Sequence, residues 1–199
     1  MRPEEVEELP PGISDPTQHS EYSYLAHDPV SVGIVTLEES RALFQLYMDE
    51  INPMHMLFDP SLHTHDYVRA RSSFLFIAIL SVISRFRNTT SHAPNGQVKR
   101  IISPIYAYCK QAAKVHLRAV LGESMCSLEV VQGLAVLVYH KQPEDEKACL
   151  HLDRAIAIAR EIGLDQPGPR DRSALTDEER RWTRVRERVW LSLFVGNTM

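Results

Sequence analysis

Cysteine is scarce in this chain, with three residues among 199. Cys109, Cys126 and Cys149 are widely spaced and form neither a CxxC pair nor a disulfide framework. Disulfide-stabilised secreted domains use cysteines in even numbers at closer spacing, so the pattern favours a reducing intracellular compartment.

Long apolar runs are also missing. The longest, Phe74 to Ile83, is interrupted by Ser81 and is shorter than the ~20 residues that a membrane-spanning helix needs. The N-terminus lacks a basic stretch followed by an apolar one, so no secretory signal is visible. We therefore expect a soluble chain without a membrane partner.

Motifs that carry chemistry are absent as well. Neither a GxxxxGK[ST] loop nor a GxGxxG loop occurs, which argues against nucleotide binding. Ser124 and Ser127 lack the G-x-S-x-G setting of a serine nucleophile. With no converging acid, base and nucleophile, we predict that the chain is not an enzyme and has no catalytic residues.

The charge is modest overall and unevenly placed. Net charge is −4 with 44% hydrophobic residues, which suits one globular domain with a sizeable core. Residues 1–30 hold one arginine against seven acidic residues, together with Pro10, Pro11 and Pro16. We predict a flexible, disordered acidic segment over residues 1–27 and a helical domain over residues 28–199.

Apolar residues recur at helical spacing, and no segment alternates for long enough to predict a strand. Capping signals mark several helix starts, namely Thr36 with Glu39, Ser127, and Thr176 with Glu179. The fold class predicted is all-α, a multi-helix bundle of about six helices. The first runs from Thr36 to a stop at Pro53, and the second from Thr64 to the polar loop 88–96. The third covers 97–121, with a start or a bend at Pro104 and a stop at Gly122. The fourth follows Ser127, the fifth runs from Glu144 to Ile162, and the sixth runs from Thr176 to about Phe194.

Two groups of residues contain side chains of the types that bind metal ions. His63, His65 and Asp66 surround a helix start, where two histidines two residues apart point to different sides and cannot easily share an ion. His140, Cys149 and His151 flank a turn between helices, where such residues are more often structural. We predict no metal ligands, and no residue pattern identifies a cofactor-binding site.

Cys126 and the last helix raise two further alternatives. A thiol beside a helix N-terminus can have a lowered pKa and sense redox state, but a half-buried residue next to the cap is the favoured interpretation. The last helix carries five arginines interleaved with two tryptophans, which can indicate nucleic-acid binding. Its glutamates instead favour a solvated face with local ion pairs. The arginines are Arg180, Arg181, Arg184, Arg186 and Arg188, and the tryptophans are Trp182 and Trp190.

Five blocks follow one another along the chain: DPVSVGIVTLEESRALFQLYMDEINPMHMLFDP (28–60), HTHDYVRARSSFLFIAILSVISRF (63–86), SLEVVQGLAVLVYH (127–140), AIAIAREIGLD (155–165) and RVRERVWLSLFVGNTM (184–199). Taken in this order, they resemble the fungal-specific transcription factor domain, the middle homology region of zinc-binuclear-cluster regulators. Ser73 stands where that family commonly has proline.

The resemblance implies a non-catalytic regulatory domain of a nuclear RNA polymerase II transcription regulator. Its partners would be the transcription machinery or co-regulator proteins, with a small-molecule effector in some members. Family members read DNA through a cluster of six cysteines holding two zinc ions, a spacing absent here, so DNA contact and zinc are expected only in a module missing from this chain.

Gly196 and Asn197 replace the family's Asp-Arg after the tryptophan block, and an apolar run ends the sequence. Either the last helix docks on the others or more of the domain covers it. The second is favoured, so we expect the first part of a truncated domain. The main alternative for the whole chain is a helical-repeat interaction scaffold unrelated to transcription. The sequence identifies neither target genes nor oligomeric state.

Overall fold

The computed structural model describes residues 28–86, 89–92, 98–122, 125–142, 145–169 and 171–196. The predicted acidic segment, residues 1–27, lies outside the described residues. The elements are α1 (Leu37–Leu46), a π-helical segment (Tyr47–Ile51), α2 (Asn52–His55), α3 (His65–Arg71), α4 (Ser73–Arg85), β1 (Thr89–His92), β2 (Val98–Ile101), α5 (Pro104–Gly122), α6 (Leu128–Tyr139), α7 (Ala148–Glu161) and α8 (Asp177–Gly196).

The fold is an all-α multi-helix bundle, as predicted, built around α4. Every residue of α4 from Phe74 to Ser84 is buried, because its sequence is apolar on all sides and needs neighbours around its whole circumference. α5 and α6 pack against α4, α7 packs against α6, and α8 lies across α6 and α7. No helix in the described part of the chain has the length and hydropathy to cross a membrane.

The predicted stop at Pro53 is wrong. After α1 the helix widens into the π-helical segment, where the backbone N–H of Asn52 donates to the carbonyl of Tyr47, five residues earlier. Pro53 then falls in the first turn of α2, where a missing N–H breaks no helical hydrogen bond. The helical path ends at Met56, whose φ of 50° is left-handed.

The segment from Thr64 to the polar loop is two helices instead of one. Ser72 is extended, with φ −152° and ψ 106°, and its hydroxyl accepts the backbone N–H of Leu75 at 3.2 Å. This cap ends α3 and starts α4 in a new direction. Ser73 is therefore the first residue of α4, a position that suits the proline common in the resembling family.

A short antiparallel hairpin corrects the expectation that no strand is present. β1 pairs with β2, with Thr89 opposite Ile101 and His92 opposite Val98. The third helix consequently starts at Pro104 instead of residue 97, and it ends at Gly122. Proline is favoured as a first helical residue because its φ is preset for the helix. The sequence alternative of a start near Pro104 is confirmed.

The remaining helix ends follow their capping signals. Ser127 Oγ accepts the N–H of Val130 at 3.2 Å, while Thr176 and Glu179 form the predicted reciprocal box at 3.2 and 2.8 Å. α7 begins at Ala148 instead of residue 144 and ends before Gly163, whose φ is 70°.

One face of α8 is built into the core. Val185, Val189 and Leu193 are completely buried, whereas Leu191 and Phe194 are 63% and 43% exposed. The helix therefore docks on α6 and α7, which is the first of the two alternatives that the sequence left open. Part of its apolar surface nevertheless remains exposed.

Candidate functional site

A shallow groove lies where the start of α6 meets α3 and α8. Its volume is about 350 Å³, at the lower end of the range of small-molecule sites. Aromatic, cationic and acidic side chains line it together. The lining residues are Tyr67, Arg71, Ser127, Leu128, Glu129, Ile162, Trp182 and Arg186.

Two helices supply the same pair of side chains to this groove. α3 contributes Tyr67 with Arg71, and α8 contributes Trp182 with Arg186. Residues four apart lie on one face of a helix, so each helix presents an aromatic ring followed one turn later by a guanidinium. The rings of Tyr67 and Trp182 lie 5.8 Å apart between centroids, tilted by 48°.

Glu129 fixes one of the two guanidinium groups. Arg71 Nε donates to Glu129 Oε1 at 2.9 Å, with the carboxylate side chain 10% exposed and the arginine side chain 63% exposed. Burial acts to raise the pKa of Glu129, but hydrogen bonds from Arg71, the backbone and Ser127 outweigh it and lower that pKa. The carboxylate is thus ionised at neutral pH and cancels one positive charge.

The second guanidinium has no such counter-charge among the described residues. Arg186 Nη2 donates to the backbone carbonyl of Ile162 at 3.1 Å, which holds the side chain across the groove without neutralising it. Two arginines and one glutamate leave a net charge of about +1 on the groove walls, which favours an anionic group there.

A buried polar network holds the aromatic wall from behind. The imidazole of His63 lies 5.2 Å from the ring of Trp182 and is 1% exposed. Its Nε2 contacts Gln132 Nε2 at 3.2 Å, and the same amide nitrogen donates to the carbonyl of Leu57 at 2.9 Å. The connector after α2, the helix α6 and the groove wall are therefore joined by one amide and one imidazole.

The histidines at the start of α3 are structural in this arrangement. His65 Nε2 lies 3.0 Å from Ser40 Oγ, and its Nδ1 lies 2.7 Å from Asp66. His63 faces the opposite way, toward Gln132. Among the residues that the structure describes, no three histidine, cysteine or acidic side chains are placed to hold a metal ion. Both histidines are buried, which the polar sequence around Thr64 did not indicate.

The second group of candidate metal ligands, His140, Cys149 and His151, is found in separate environments. His140 lies beside His55, with ring centroids 5.2 Å apart. Cys149 is exposed, and His151 is buried on α7.

Cys126 does not have the activated thiol that its helix position could have given. Its Sγ donates to Glu161 Oε2 at 3.1 Å, and this hydrogen bond, with smaller effects of burial and the same negative charge, raises the pKa of the thiol. A thiol held protonated in this way is a poor nucleophile and a poor redox sensor.

The arginines of α8 are mostly engaged within the protein. Arg180 pairs with Asp177 at 2.6 Å, a neighbour on the same helix. Arg181 instead reaches the connector, with Nη1 3.3 Å from Asp59. The helix thus carries ion pairs as its glutamates and arginines suggested, and it also ties α8 to the loop before α3. The sequence did not link these arginines to Tyr67, Arg71 and Glu129. A signal for the groove was the spacing of four residues between an aromatic residue and an arginine, which occurs in both α3 and α8.

Two curated fungal proteins are similar to this chain. Over 171 residues it is 32% identical to protein priB of Lentinula edodes, a match that covers 85% of this chain and 26% of priB. Over 145 residues it is 26% identical to transcription factor opdL of Penicillium oxalicum, covering 68% of this chain and 23% of opdL. The chain is fungal transcription-factor-like. It spans about a quarter of the length of these relatives.

No protein-family model matches the chain, and no solved structure matches it. The comparisons thus agree with the resemblance at the level of a fungal transcription factor. They leave the named regulatory domain, the nuclear location and the zinc-cluster family as interpretations.

Proposed function

We propose that this chain is a regulatory, non-catalytic region of a fungal RNA polymerase II transcription regulator. The observation that carries the proposal is its similarity to transcription factor opdL over 68% of the chain. An all-helical bundle with no recognisable nucleotide motif is consistent with a region that binds proteins or effectors. The site of action would be the nucleus, and the partners would be co-regulators or the transcription machinery.

DNA recognition would belong to a different module of the same regulator. Of the five arginines of α8, Arg180 and Arg181 are paired with Asp177 and Asp59, and Arg186 donates to the carbonyl of Ile162. Cys109 is buried in α5, while Cys126 donates to Glu161 and Cys149 is exposed on α7. Zinc is therefore assigned to that other module, and no cofactor is proposed for this chain.

The groove between α3, α6 and α8 offers a place for effector response. It contacts three elements at once, so a ligand there would favour the arrangement in which all three keep their present positions. Such a ligand shifts activity only if it binds one arrangement better than the other.

Tethering tests the proposal directly. The 199-residue chain would be fused to a foreign DNA-binding domain and expressed in yeast with a reporter, with the DNA-binding domain alone as baseline. We expect nuclear accumulation of the unfused chain carrying a fluorescent tag, and a reporter output above or below baseline for the fusion. A chain that stays outside the nucleus and leaves the reporter at baseline would favour the helical interaction scaffold instead.

A further inference from the structure

The groove lined by Tyr67, Arg71, Glu129, Trp182 and Arg186 has a composition that selects a ligand class. We propose that it binds a small aromatic monocarboxylate, with the carboxylate on Arg186 and the ring against Trp182 and Tyr67. The identification of this ligand as an effector rests on the proposed function; the binding itself does not.

Charge limits the ligand to one negative group. Glu129 is bonded to Arg71 and neutralises it, so a carboxylate on the ligand meets the unneutralised charge of Arg186. That guanidinium donates one N–H to Ile162 and keeps further donors in its planar fork, the geometry that suits a carboxylate. The Arg71–Glu129 pair is neutral as a whole and adds no net attraction for a second anionic group.

The aromatic rings of Tyr67 and Trp182 determine the class of the uncharged part of the ligand. Tyr67 and Trp182 are only partly buried although both pack against the core, and they form one continuous aromatic wall with centroids 5.8 Å apart. A planar ring gains offset or edge-to-face contacts there. With about 350 Å³ of space, the groove has room for a molecule of one or two rings.

Contacts behind and beside Trp182 hold the aromatic wall in place. Behind Trp182, His63 is fixed by Gln132 and by the carbonyl of Asp59 at 3.2 Å, and Arg181 ties the same turn of α8 to Asp59. A wall that does not need to be ordered on binding costs a small ligand little affinity.

The chain provides its own reporter for the test. It contains two tryptophans; Trp182 lines the groove, whereas Trp190 packs against Phe194 with ring centroids 4.7 Å apart. In the 15N-labelled chain each indole N–H gives one NMR signal, and Trp182→Phe and Trp190→Phe variants assign them. Sodium benzoate is the probe, and benzyl alcohol is the matched neutral probe with the same ring.

We expect benzoate to shift the Trp182 signal saturably, with a Kd no weaker than about 10 mM, and to move the Trp190 signal much less. Benzyl alcohol should bind at least about tenfold more weakly, because it cannot use the charge of Arg186. Arg186→Gln should weaken benzoate binding by about tenfold or more, and Arg186→Lys should restore part of it. Arg184→Gln, an exposed position on the same helix, should leave binding unchanged.

The proposal is overturned if benzoate leaves the Trp182 signal unsaturated at that concentration, if benzyl alcohol binds equally well, or if Arg184→Gln weakens binding as much as Arg186→Gln. The signal of Trp190 in each variant shows whether the bundle is still folded. Because binding is measured on the chain alone, a silent reporter fusion with benzoate binding would reject the transcription proposal and keep the groove. An active fusion without binding would do the reverse.

Discussion

Gln132, in the middle of α6, donates its side-chain N–H to the carbonyl oxygen of Leu57 at 2.9 Å, in a region where Gln132 has no exposed surface. The same nitrogen lies 3.2 Å from His63 Nε2. On the other side of the ring, His63 Nδ1 accepts the backbone N–H of Asp59 at 3.2 Å and lies at the same distance from the Asp59 carbonyl oxygen. One amide therefore contacts both the connector and a buried histidine.

Replacing Gln132 by leucine removes this amide from two buried partners, the Leu57 carbonyl and His63. We expect Gln132→Leu to lower the free energy of unfolding by about 1–3 kcal/mol, because the Leu57 carbonyl and His63 stay buried without it. Urea unfolding followed by circular dichroism measures the loss. Gln45→Leu is the matched control, since Gln45 is exposed and bonds only Asp49 on its own helix. Equal losses in the two variants would show that the buried amide has no special role.

Gly133 allows α6 to pack directly on α4. A Cβ at this position would lie 2.6 Å from Phe74 Cε1, too close for any real contact, so a ring in the centre of the core would have to move. We expect Gly133→Ala to destabilise the fold by about 1–3 kcal/mol in urea unfolding, despite alanine's better helix propensity.

Gly122→Ala provides the comparison for Gly133. A Cβ at Gly122, the last residue of α5, meets open space. That change should be neutral or stabilising by up to about 1 kcal/mol. Equal destabilisation by both alanines would mean that contact with Phe74 is not what requires glycine at position 133.

The helical content of this fold was predictable because its signals are local. Thr36, Ser127 and Thr176 each cap a helix with their own side chains, and such bonds depend on residues three positions apart. The full burial of α4 likewise follows from its sequence, which is apolar on every side. These features require no knowledge of what packs against them.

The breaks inside helical patterns were not predictable for the opposite reason. Helical periodicity continues through Ser72, and the sequence does not distinguish a serine that caps α4 from a serine inside one continuous helix. Pro53 predicted the end of the first helix, because the π-helical turn that accommodates this proline has no sequence signature. The groove combines α3, α6 and α8, whose lining residues are separated by more than 50 positions from one helix to the next, so no single pattern contains them.

Acid should destabilise this protein through histidines whose pKa values are lowered by burial or partial burial. Burial is the main cause that lowers the pKa of His140 to about 4, with smaller effects of His55 and Arg85. The unfolded chain, with a histidine pKa near ~6.5, then binds more protons than the folded chain between these values. Stability from His140 is fully present above about pH 6.5 and is lost as pH falls toward about 4.

We therefore expect the free energy of unfolding to fall between about pH 7 and about pH 5, and His140→Gln to reduce that fall. His55, His63 and His151 have pKa values lowered mainly by burial, so part of the dependence should remain in the variant. Asp28 and Asp59, whose pKa values are also lowered, add their loss only at more acidic pH. An identical slope in the wild type and His140→Gln would contradict this account.

The three cysteines should differ in the rate at which their thiols react. These rates test the inference that Cys126 has no redox role. Cys149 is exposed, Cys126 is half-buried and bonded to Glu161, and Cys109 is fully buried with a raised pKa. With an aromatic disulfide reagent at mildly alkaline pH, we expect Cys149 to react first, Cys126 more slowly, and Cys109 only on unfolding.

Glu161→Gln identifies the cause of the slow second reaction. Replacing the carboxylate by an amide removes the negative charge and leaves only a weaker, neutral acceptor for the Cys126 thiol, so Cys126 should react a few times faster, on the order of the gain in thiolate. The measurement uses a Cys149→Ser background, so that Cys126 is the fastest remaining thiol. Asp153→Asn, an exposed acid on the same helix, should leave the rate unchanged. If Cys126 already matched Cys149 in the unmodified chain, the bond to Glu161 would not control it and a redox role would have to be reconsidered.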